Sequence, residues 1–247
     1  MQSLDRAVEI LRCFGVKRTQ LGITEIARST GLSTSTVHRL LASMAANGLV
    51  HRGPDHRYSL GPLIVQLARS GAIPTSLREV AMPLIQQLRD EVNETAAIHE
   101  LLSSGMRAVV AQAESRQELR RTYTDIGNPL PLPLGAPGKA ILAHLPAERQ
   151  DWWISQGVAP ELTNAPFDAV VMRNDLAATR ERGWAQSNEE RTPGIRTVAA
   201  PVFDETGAVI GAISLSVPVV RMGDERVVTL GARVAAAAKE ASDRICG

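Results

Sequence analysis

A run of hydroxyl side chains begins a stretch that has the apolar spacing of a helix: Ser33, Thr34, Ser35 and Thr36. Ser33 suits a helix N-cap, but Ser and Thr are poor formers of a helix interior, so capping alone does not explain the run. Small hydroxyl groups at a helix N-terminus can approach base edges and phosphates closely. His38 and Arg39 project from the side opposite the apolar stripe. This pattern favours contact with DNA.

The elements around this stretch match a helix-turn-helix. Apolar spacing predicts a first helix over residues 4–14 and a second over 25–29, which follows Thr24 as its N-cap. Gly31 breaks the second helix, and the third runs from Ser33 to about residue 46. A helix, a short turn with glycine and another helix give the layout of a DNA-binding motif or of any helical hairpin.

A short hairpin after the third helix decides between these two interpretations. Residues 49–52 and 57–60 read as strands, and residues 53–56 between them read as a turn. The sequence therefore predicts a winged helix-turn-helix, with Arg52 and Arg57 of the wing against the DNA backbone or minor groove. His51 and His56 have no third ligand nearby, so we expect no metal site there.

Charge is distributed unevenly along the 247 residues. Residues 1–75 contain nine Lys and Arg against four Asp and Glu, whereas residues 76–247 contain 18 against 22. A basic small module joined to an acidic larger one indicates an anionic partner for the first module only.

Several absences narrow the class of protein. The only cysteines, Cys13 and Cys246, form neither a disulfide framework nor a metal spacing. No apolar run is long enough for a membrane span, and the first ten residues lack the apolar region of a signal peptide. We therefore expect a cytoplasmic protein.

The remainder of the chain predicts a linker over residues 61–75 and a second domain over 76–247. A long amphipathic helix over residues 76–93 opens this domain, either as a dimer or relay element or packed within its own domain. Strands and helices then alternate, with hairpins at residues 95–113 and 196–217. We expect an α+β fold with a mostly antiparallel sheet and helices packed on one face.

Alternating Pro and Leu lead into a predicted helix over residues 138–145. The backbone N–H groups near Gly135, Ala136 and Gly138 would suit a carboxylate or phosphate. The pair Gly138-Lys139 resembles the end of a P-loop, but Ala140 replaces the required Ser or Thr, which excludes nucleotide hydrolysis. No cofactor motif is present.

Two serines lie on one face of the predicted strand over residues 208–217. Period-two alternation places Ser214 and Ser216 beside each other on a face that is otherwise apolar. They either hold a small polar ligand or bond to neighbouring strands.

The order of these motifs resembles the IclR family of bacterial transcription regulators. The similarity runs through SLDRAVEIL, GITEIARSTGLSTSTVHRLLASMAANGLV, RYSLG and LPLGAPGKAILA, and it ends with GWAQSNEERTPGIRTVAAPVFDETGAVIGAISLSVP. The resemblance implies a winged helix-turn-helix joined by a helix to a GAF-like effector domain. It also implies a homodimer or dimer of dimers on a palindromic operator, and a small organic acid as effector.

Carried over by motif, the resemblance implies an effector site of nine residues: Leu130, Leu132, Gly135, Ala136, Ser187, Ile195, Thr197, Ser214 and Ser216. The chain departs from the family at Pro137, which offers no N–H donor, and at Thr197, where Cys or another small residue can occur. Aliphatic keto or hydroxy acids and aromatic acids such as hydroxybenzoates both remain candidates.

Two other functions compete with a ligand-responsive regulator. An enzyme with a DNA-binding appendage is disfavoured, because no nucleophile elbow, metal cluster or dinucleotide loop occurs. A DNA-binding protein without sequence preference is disfavoured by the modest positive charge of the first module, since binding through phosphates needs many basic contacts.

Overall fold

The computed structural model of the protein describes residues 2–15, 18–69, 77–123, 125–164 and 166–247. The contacts divide the chain into two compact units, Met1–Pro74 and Thr75–Gly247. Each unit has a hydrophobic core of its own. No helix within the described residues is long and apolar enough to cross a membrane.

The first unit is a helix-turn-helix followed by a wing. Its elements are α1 (Gln2–Arg12), α2 (Ile23–Thr30), α3 (Thr34–Ala46), β1 (Val50–Arg52), β2 (Tyr58–Leu60) and α4 (Pro62–Arg69). Val37, Leu41 and Met44 form the buried stripe of α3, as the apolar spacing predicts. β1 and β2 pair in antiparallel register from Val50 opposite Leu60. Gly31 has the left-handed φ of 69° that ends α2 and starts the turn.

Helix α2 begins earlier than the sequence predicts, and Thr24 is not its N-cap. The N-cap is Gly22, whose backbone N–H donates to the Glu25 carboxylate over 2.7 Å. A glutamate at the third helical position satisfies this N–H, so no hydroxyl cap is needed. Ile23 then packs against the core from the first position of the helix.

The second unit contains an antiparallel sheet between helices. Its elements are α5 (Leu77–Val92), β3 (Thr95–Leu101), β4 (Arg107–Ala113), α6 (Gly135–Leu142), α7 (Ala147–Gln156), α8 (Ala169–Arg182), β5 (Ala185–Asn188), β6 (Ile195–Phe203), β7 (Val209–Pro218) and α9 (Asp224–Cys246). Among the described residues the sheet order is β4–β3–β7–β6–β5, and every neighbouring pair is antiparallel.

Helices cover both faces of this sheet, so the expectation of a single covered face is wrong. Helices α5 and α9 pack on one face with Val198, Ile213 and Leu215. Helices α6, α7 and α8 pack on the other face with Ala199 and Ala212. Strands β6 and β7 are apolar at nearly every position, which is the pattern of strands that are buried on both faces.

Helix α6 begins at Gly135, three residues before the predicted start at Gly138. Gly135 has φ 70°, which turns the extended chain into the helix at little steric cost. Gly138 is required by close approach, because a Cβ at this position would overlap the Leu132 carbonyl oxygen. Together these glycines place the first turn of α6 against the preceding segment.

Candidate functional site

The four hydroxyl residues at the start of α3, residues 33–36, differ in their hydrogen bonds and in their exposure to solvent. Ser33 caps the helix by accepting from the Thr36 N–H over 3.3 Å, as predicted, and its hydroxyl also lies 2.9 Å from that of Thr36. Ser35 bonds to the Ser33 hydroxyl over 3.0 Å. Ser33, Thr34 and Ser35 are exposed. Capping thus involves Ser33 and Thr36, whereas Thr34 and Ser35 remain open to solvent.

The polar face of α3 is uncovered within its own unit. His38 and Arg39 are exposed, on the opposite side of the helix from the buried Val37, Leu41 and Met44. No hydrogen bond or ion pair joins Arg39 to another residue of the described chain. A solvent-facing cation beside a helix N-terminus suits a polyanionic partner.

The two arginines of the wing differ. The Arg57 guanidinium donates to the Glu25 carboxylate over 2.7 Å and to the Gln20 carbonyl over 3.0 Å. The Gly22 N–H, aided by the Arg57 charge, lowers the pKa of Glu25. Arg57 therefore ties the wing to α2, while 40 % of its side chain stays exposed. Its contact with DNA stays a prediction. Arg52 is exposed and lies 3.0 Å from His56 Nδ1.

In the second unit a small cavity of about 40 Å³ lies beside the first turn of α6. We call this cavity the chamber. Its lining is mostly polar, with arginine, histidine, hydroxyl and carboxylate side chains beside three nonpolar residues: His99, Arg107, Arg121, Tyr123, Gly135, Pro137, Ser187, Glu190, Arg191, Thr192, Ile195, Thr197 and Ser216.

Arg107 is the most deeply buried cation of the chamber, with 1 % of its surface exposed. Its guanidinium donates to His99 Nδ1 over 3.1 Å and to the Leu134 carbonyl over 2.8 Å. Its Nε has no partner among the described residues, and no carboxylate pairs with it. Burial, and then the charge of Arg191, lowers the pKa of Arg107 to about 9. A buried guanidinium without a counter-charge is a strong binding group for an anion.

His99 is a neutral bridge between Arg107 and the sheet. His99 lies on β3, and the register of the pairing between β3 and β4 shifts between Ile98 and His99. Because Arg107 can only donate, His99 Nδ1 accepts, and Nε2 carries the proton toward the Ser214 hydroxyl, 3.0 Å away. Complete burial keeps the pKa of His99 well below its ordinary value.

Two further cations face the chamber from loops. Arg191 lies in the loop between β5 and β6, and burial followed by the charge of Arg121 lowers its pKa. No hydrogen bond or ion pair joins Arg191 to another described residue. The guanidinium of Arg121 lies 4.8 Å from the Tyr123 ring centroid. Both groups add positive charge to the lining of the chamber.

Three hydroxyl groups form a connected row on the chamber wall. Ser216 lies 2.8 Å from the Tyr123 hydroxyl and 3.0 Å from the Thr197 hydroxyl. Each of these groups can donate or accept. Such a row can bond to a carbonyl, hydroxyl or carboxylate of a ligand.

The first amide of α6 is already occupied by a carboxylate of the chain itself. Gly135 N–H donates to Glu190 Oε2 over 3.2 Å, so the expectation of a free N–H at this position is wrong. Glu190 Oε1 lies 2.5 Å from the buried Lys139 ammonium, which also binds Asp175 over 2.6 Å. Lys139 is thus shared by two carboxylates, so the Glu190–Lys139–Asp175 cluster keeps one net negative charge, which offsets only part of the positive charge of the three chamber arginines.

The chamber brings together five of the nine residues implied by the family resemblance: Gly135, Ser187, Ile195, Thr197 and Ser216. The other four lie behind its lining. Leu132 and Ala136 pack in the apolar cluster beneath α6, Leu130 pairs through its backbone with Arg107, and Ser214 is turned to His99. These four support the wall instead of facing the cavity.

Sequence reasoning missed the charged and aromatic members of the chamber: His99, Arg107, Arg121, Tyr123, Glu190 and Arg191. A signal was present for two of them. His99 and Arg107 stand within or at the start of strands that are otherwise largely apolar, and a buried polar group requires partners. The other four, Arg121, Tyr123, Glu190 and Arg191, lie in loops and carry no periodic pattern that could have marked them.

Family models match both units. Residues 3–54 match the IclR helix-turn-helix domain, and residues 73–243 match the carboxyl-terminal domain of bacterial IclR transcriptional regulators. Over 242 residues the chain is 33 % identical to the transcriptional repressor IclR of Escherichia coli strain K12, covering 97 % of this chain and 88 % of that protein.

Solved structures agree with this assignment. An IclR transcriptional regulator from Alicyclobacillus acidocaldarius superposes with a TM-score of 0.86 at 25 % identity, covering 100 % of this chain and 99 % of that one. An IclR homologue from Microbacterium hydrocarbonoxydans, solved with 4-hydroxybenzoate, gives a TM-score of 0.80 at 25 % identity over 98 % and 99 % of the two chains. The chain therefore belongs to the IclR family of DNA-binding transcriptional regulators, with a ligand-binding carboxyl-terminal domain.

Proposed function

We propose that the second unit senses a small organic acid in the chamber and that the acid changes the affinity of the first unit for its operator. The observation that carries this proposal is the set of chamber arginines, Arg107, Arg121 and Arg191, none of which forms an ion pair with a carboxylate of the described residues. The Asp125 carboxylate acts on Arg191 only from a longer distance. The one carboxylate on the chamber wall, Glu190, is paired with Lys139.

Electrostatics favour an anionic ligand over a neutral one. Burying a charge without a partner costs free energy, and the lowered pKa values of Arg107 and Arg191 reflect that cost. A carboxylate would supply the missing counter-charge, and guanidinium groups bind carboxylates through paired hydrogen bonds. The hydroxyl row of Tyr123, Thr197 and Ser216 would bond to the rest of the head group.

Both classes of acid that the sequence suggests remain compatible with this head-group site. A hydroxyl or keto group beside the carboxylate would reach the hydroxyl row. An aromatic acid has support from the Microbacterium homologue solved with 4-hydroxybenzoate. The chamber holds about three water molecules by volume, since one water occupies roughly 10–15 Å³ on this measure. The chamber thus fits a head group.

On the DNA side, the proposed contacts are the exposed groups of α3 and the wing. Thr34, Ser35, His38 and Arg39 would meet base edges and phosphates in the major groove, and Arg52 would meet the backbone. Ser33 and Thr36 would orient this turn. The protein would act as a homodimer or dimer of dimers on a palindromic operator, with half-sites about 34 Å apart or a multiple of that distance.

Arg191→Gln tests the acid site. We expect it to weaken the binding of acetate and 4-hydroxybenzoate by roughly tenfold or more, because it removes a charge-assisted contact. Arg191 is a half-buried loop residue without a hydrogen bond to another described residue, so the fold should persist. Isothermal titration calorimetry on the full chain measures the change. Arg173→Gln is the matched control, because Arg173 forms a surface ion pair with Asp151 and neither residue lines the chamber.

Equal affinity of the two variants for every acid would contradict the proposal. Tight binding of the corresponding neutral amides by the natural protein would contradict it as well, since an amide supplies no counter-charge to the arginines.

A further inference from the structure

A second and larger cavity of about 500 Å³ lies beside the chamber. We call it the vestibule. Its walls are mostly apolar and come from three segments: Leu119, Arg120, Arg121 and Thr122; Thr192, Pro193, Gly194 and Ile195; and Pro218, Val219 and Val220.

The two cavities share part of their lining. Arg121, Thr192 and Ile195 border both the chamber and the vestibule, and each is only partly buried. A ligand whose head group contacts the chamber arginines can therefore extend past these three side chains into the vestibule.

Some apolar side chains of the vestibule are exposed to solvent and do not belong to the hydrophobic core of the second unit. Val220 is 79 % exposed and Leu119 is 59 % exposed, and they stand beside Pro193, Pro218 and Val219. A contiguous apolar patch beside a charged cavity marks a binding surface.

Hydrogen bonds hold the walls of the vestibule in place. Arg221 binds Glu94 through two nitrogens at 2.9 and 2.8 Å and also donates to the Leu119 carbonyl over 3.0 Å. Val219 N–H donates to the Gly194 carbonyl over 2.9 Å. These bonds connect all three wall segments, so the vestibule is formed before any ligand arrives, as is usual for small-molecule sites.

We propose that the effector is an amphipathic acid whose carboxylate occupies the chamber and whose apolar tail, several carbons long, lies in the vestibule. This inference rests on the proposed function, because it takes the chamber as the carboxylate site. The chamber's 40 Å³ accommodates the head group only, whereas the vestibule has the volume and the apolar walls for a tail.

A series of straight-chain acids tests the inference: acetate, butanoate, hexanoate and octanoate. Calorimetric titration of the full chain measures each affinity. We expect affinity to rise along the series by up to about fourfold per methylene, the value for a fully buried CH₂ group. The corresponding alcohols, which keep the tail and lack the charge, should bind far more weakly than the acids.

A double variant locates the tail. Leu119→Ser with Val220→Ser removes apolar surface without adding charge, and both side chains are exposed, so the fold should persist. We expect octanoate to bind about tenfold more weakly to this variant, with acetate unchanged. Val228→Ser on α9, also an exposed valine, is the matched control and should leave both affinities unchanged.

The outcomes separate the two proposals. If acetate and octanoate bind with equal affinity, the tail inference is overturned and the acid site stands. If no acid of the series and no aromatic acid binds, the proposed function itself fails. If the double variant keeps the full chain-length dependence, the tail does not lie in the vestibule. If the variant instead changes the oligomeric state in analytical ultracentrifugation, the surface is a contact between copies, and the inference is likewise overturned.

Discussion

His99 and Arg107 illustrate how individual residues adjust to a buried polar site. Arg107 keeps its charge with one imidazole nitrogen and one carbonyl oxygen as partners. His99 stays neutral because complete burial disfavours its charged form, and the nearby Arg107 charge lowers its pKa further. His99 is therefore neutral, and it supplies no counter-charge to Arg107. The Arg107 guanidinium is thus available to bind an external anion.

The depressed pKa of His99 gives the second unit a predictable pH dependence. In the unfolded chain His99 takes up a proton near its ordinary pKa of about 6.5, whereas in the folded unit it does not. The free energy of unfolding should therefore fall as the pH is lowered from 7 to 5, by at most about 1.4 kcal/mol per pH unit. Hydrogen exchange of the β3 and β7 amides measures this stability.

His99→Gln is the comparison for this pH dependence. Its stability should vary less between pH 7 and pH 5, since the substituted residue does not titrate. An equally steep loss in the variant would show that other groups cause the acid sensitivity.

Among the elements, α6 shows what sequence patterns can and cannot give. The pattern around Gly138-Lys139 identified a helix whose first turn meets a polar site, and the helix is present. Its start was misplaced by three residues, because Gly135 enters the helix through a left-handed φ that apolar spacing does not reveal. Glu190 at its N-terminus was also missed, since a contact over 55 residues has no local signal.

Gly138→Ala tests the close approach at α6. The added methyl group would overlap the Leu132 carbonyl oxygen, so backbone must move. Overpacking of this kind costs about 1–3 kcal/mol or more, and we expect a lower melting temperature together with weaker acid binding. Gly223→Ala, at a position with open space around the Cα, is the control. Equal melting temperatures for the two variants would show that α6 can shift freely.

Helix α3 carries the prediction for DNA binding. Arg39→Ala should weaken binding to a specific duplex by about 1–3 kcal/mol if Arg39 reads a base, measured by fluorescence anisotropy. Arg28→Ala, which removes an exposed cation from α2, is the charge-matched control. Arg57→Ala should have less effect than Arg39→Ala, because Arg57 is engaged by Glu25. Full affinity in the Arg39 variant would remove that residue from the interface.

For the whole molecule, the sequence predicted the class of each unit well. Apolar spacing and glycine breaks identify the helix-turn-helix, and hairpin patterns identify the antiparallel sheet, because these signals are local. The covering of both sheet faces was missed, although the nearly continuous apolar runs of β6 and β7 indicate it. The chamber could be predicted only in part, since its charged residues converge from distant loops and strands.

Regulation by an acid requires that the acid and the operator influence each other's binding. This coupling is reciprocal for equilibrium affinities: the factor by which an acid changes DNA affinity must equal the factor by which DNA changes acid affinity. A factor of about 5–150 is typical of allosteric proteins. The Arg191→Gln variant should keep its DNA affinity and lose the response to acid.

The most direct test is the affinity of the full chain for a duplex selected by the natural protein from a random pool. Fluorescence anisotropy would measure it with and without octanoate, hexanoate and 4-hydroxybenzoate, each beside its neutral amide. We predict that at least one acid changes the affinity at least fivefold and that its amide does not. Unchanged affinity with every acid, in a protein that binds the duplex specifically, would contradict the acid-sensing account.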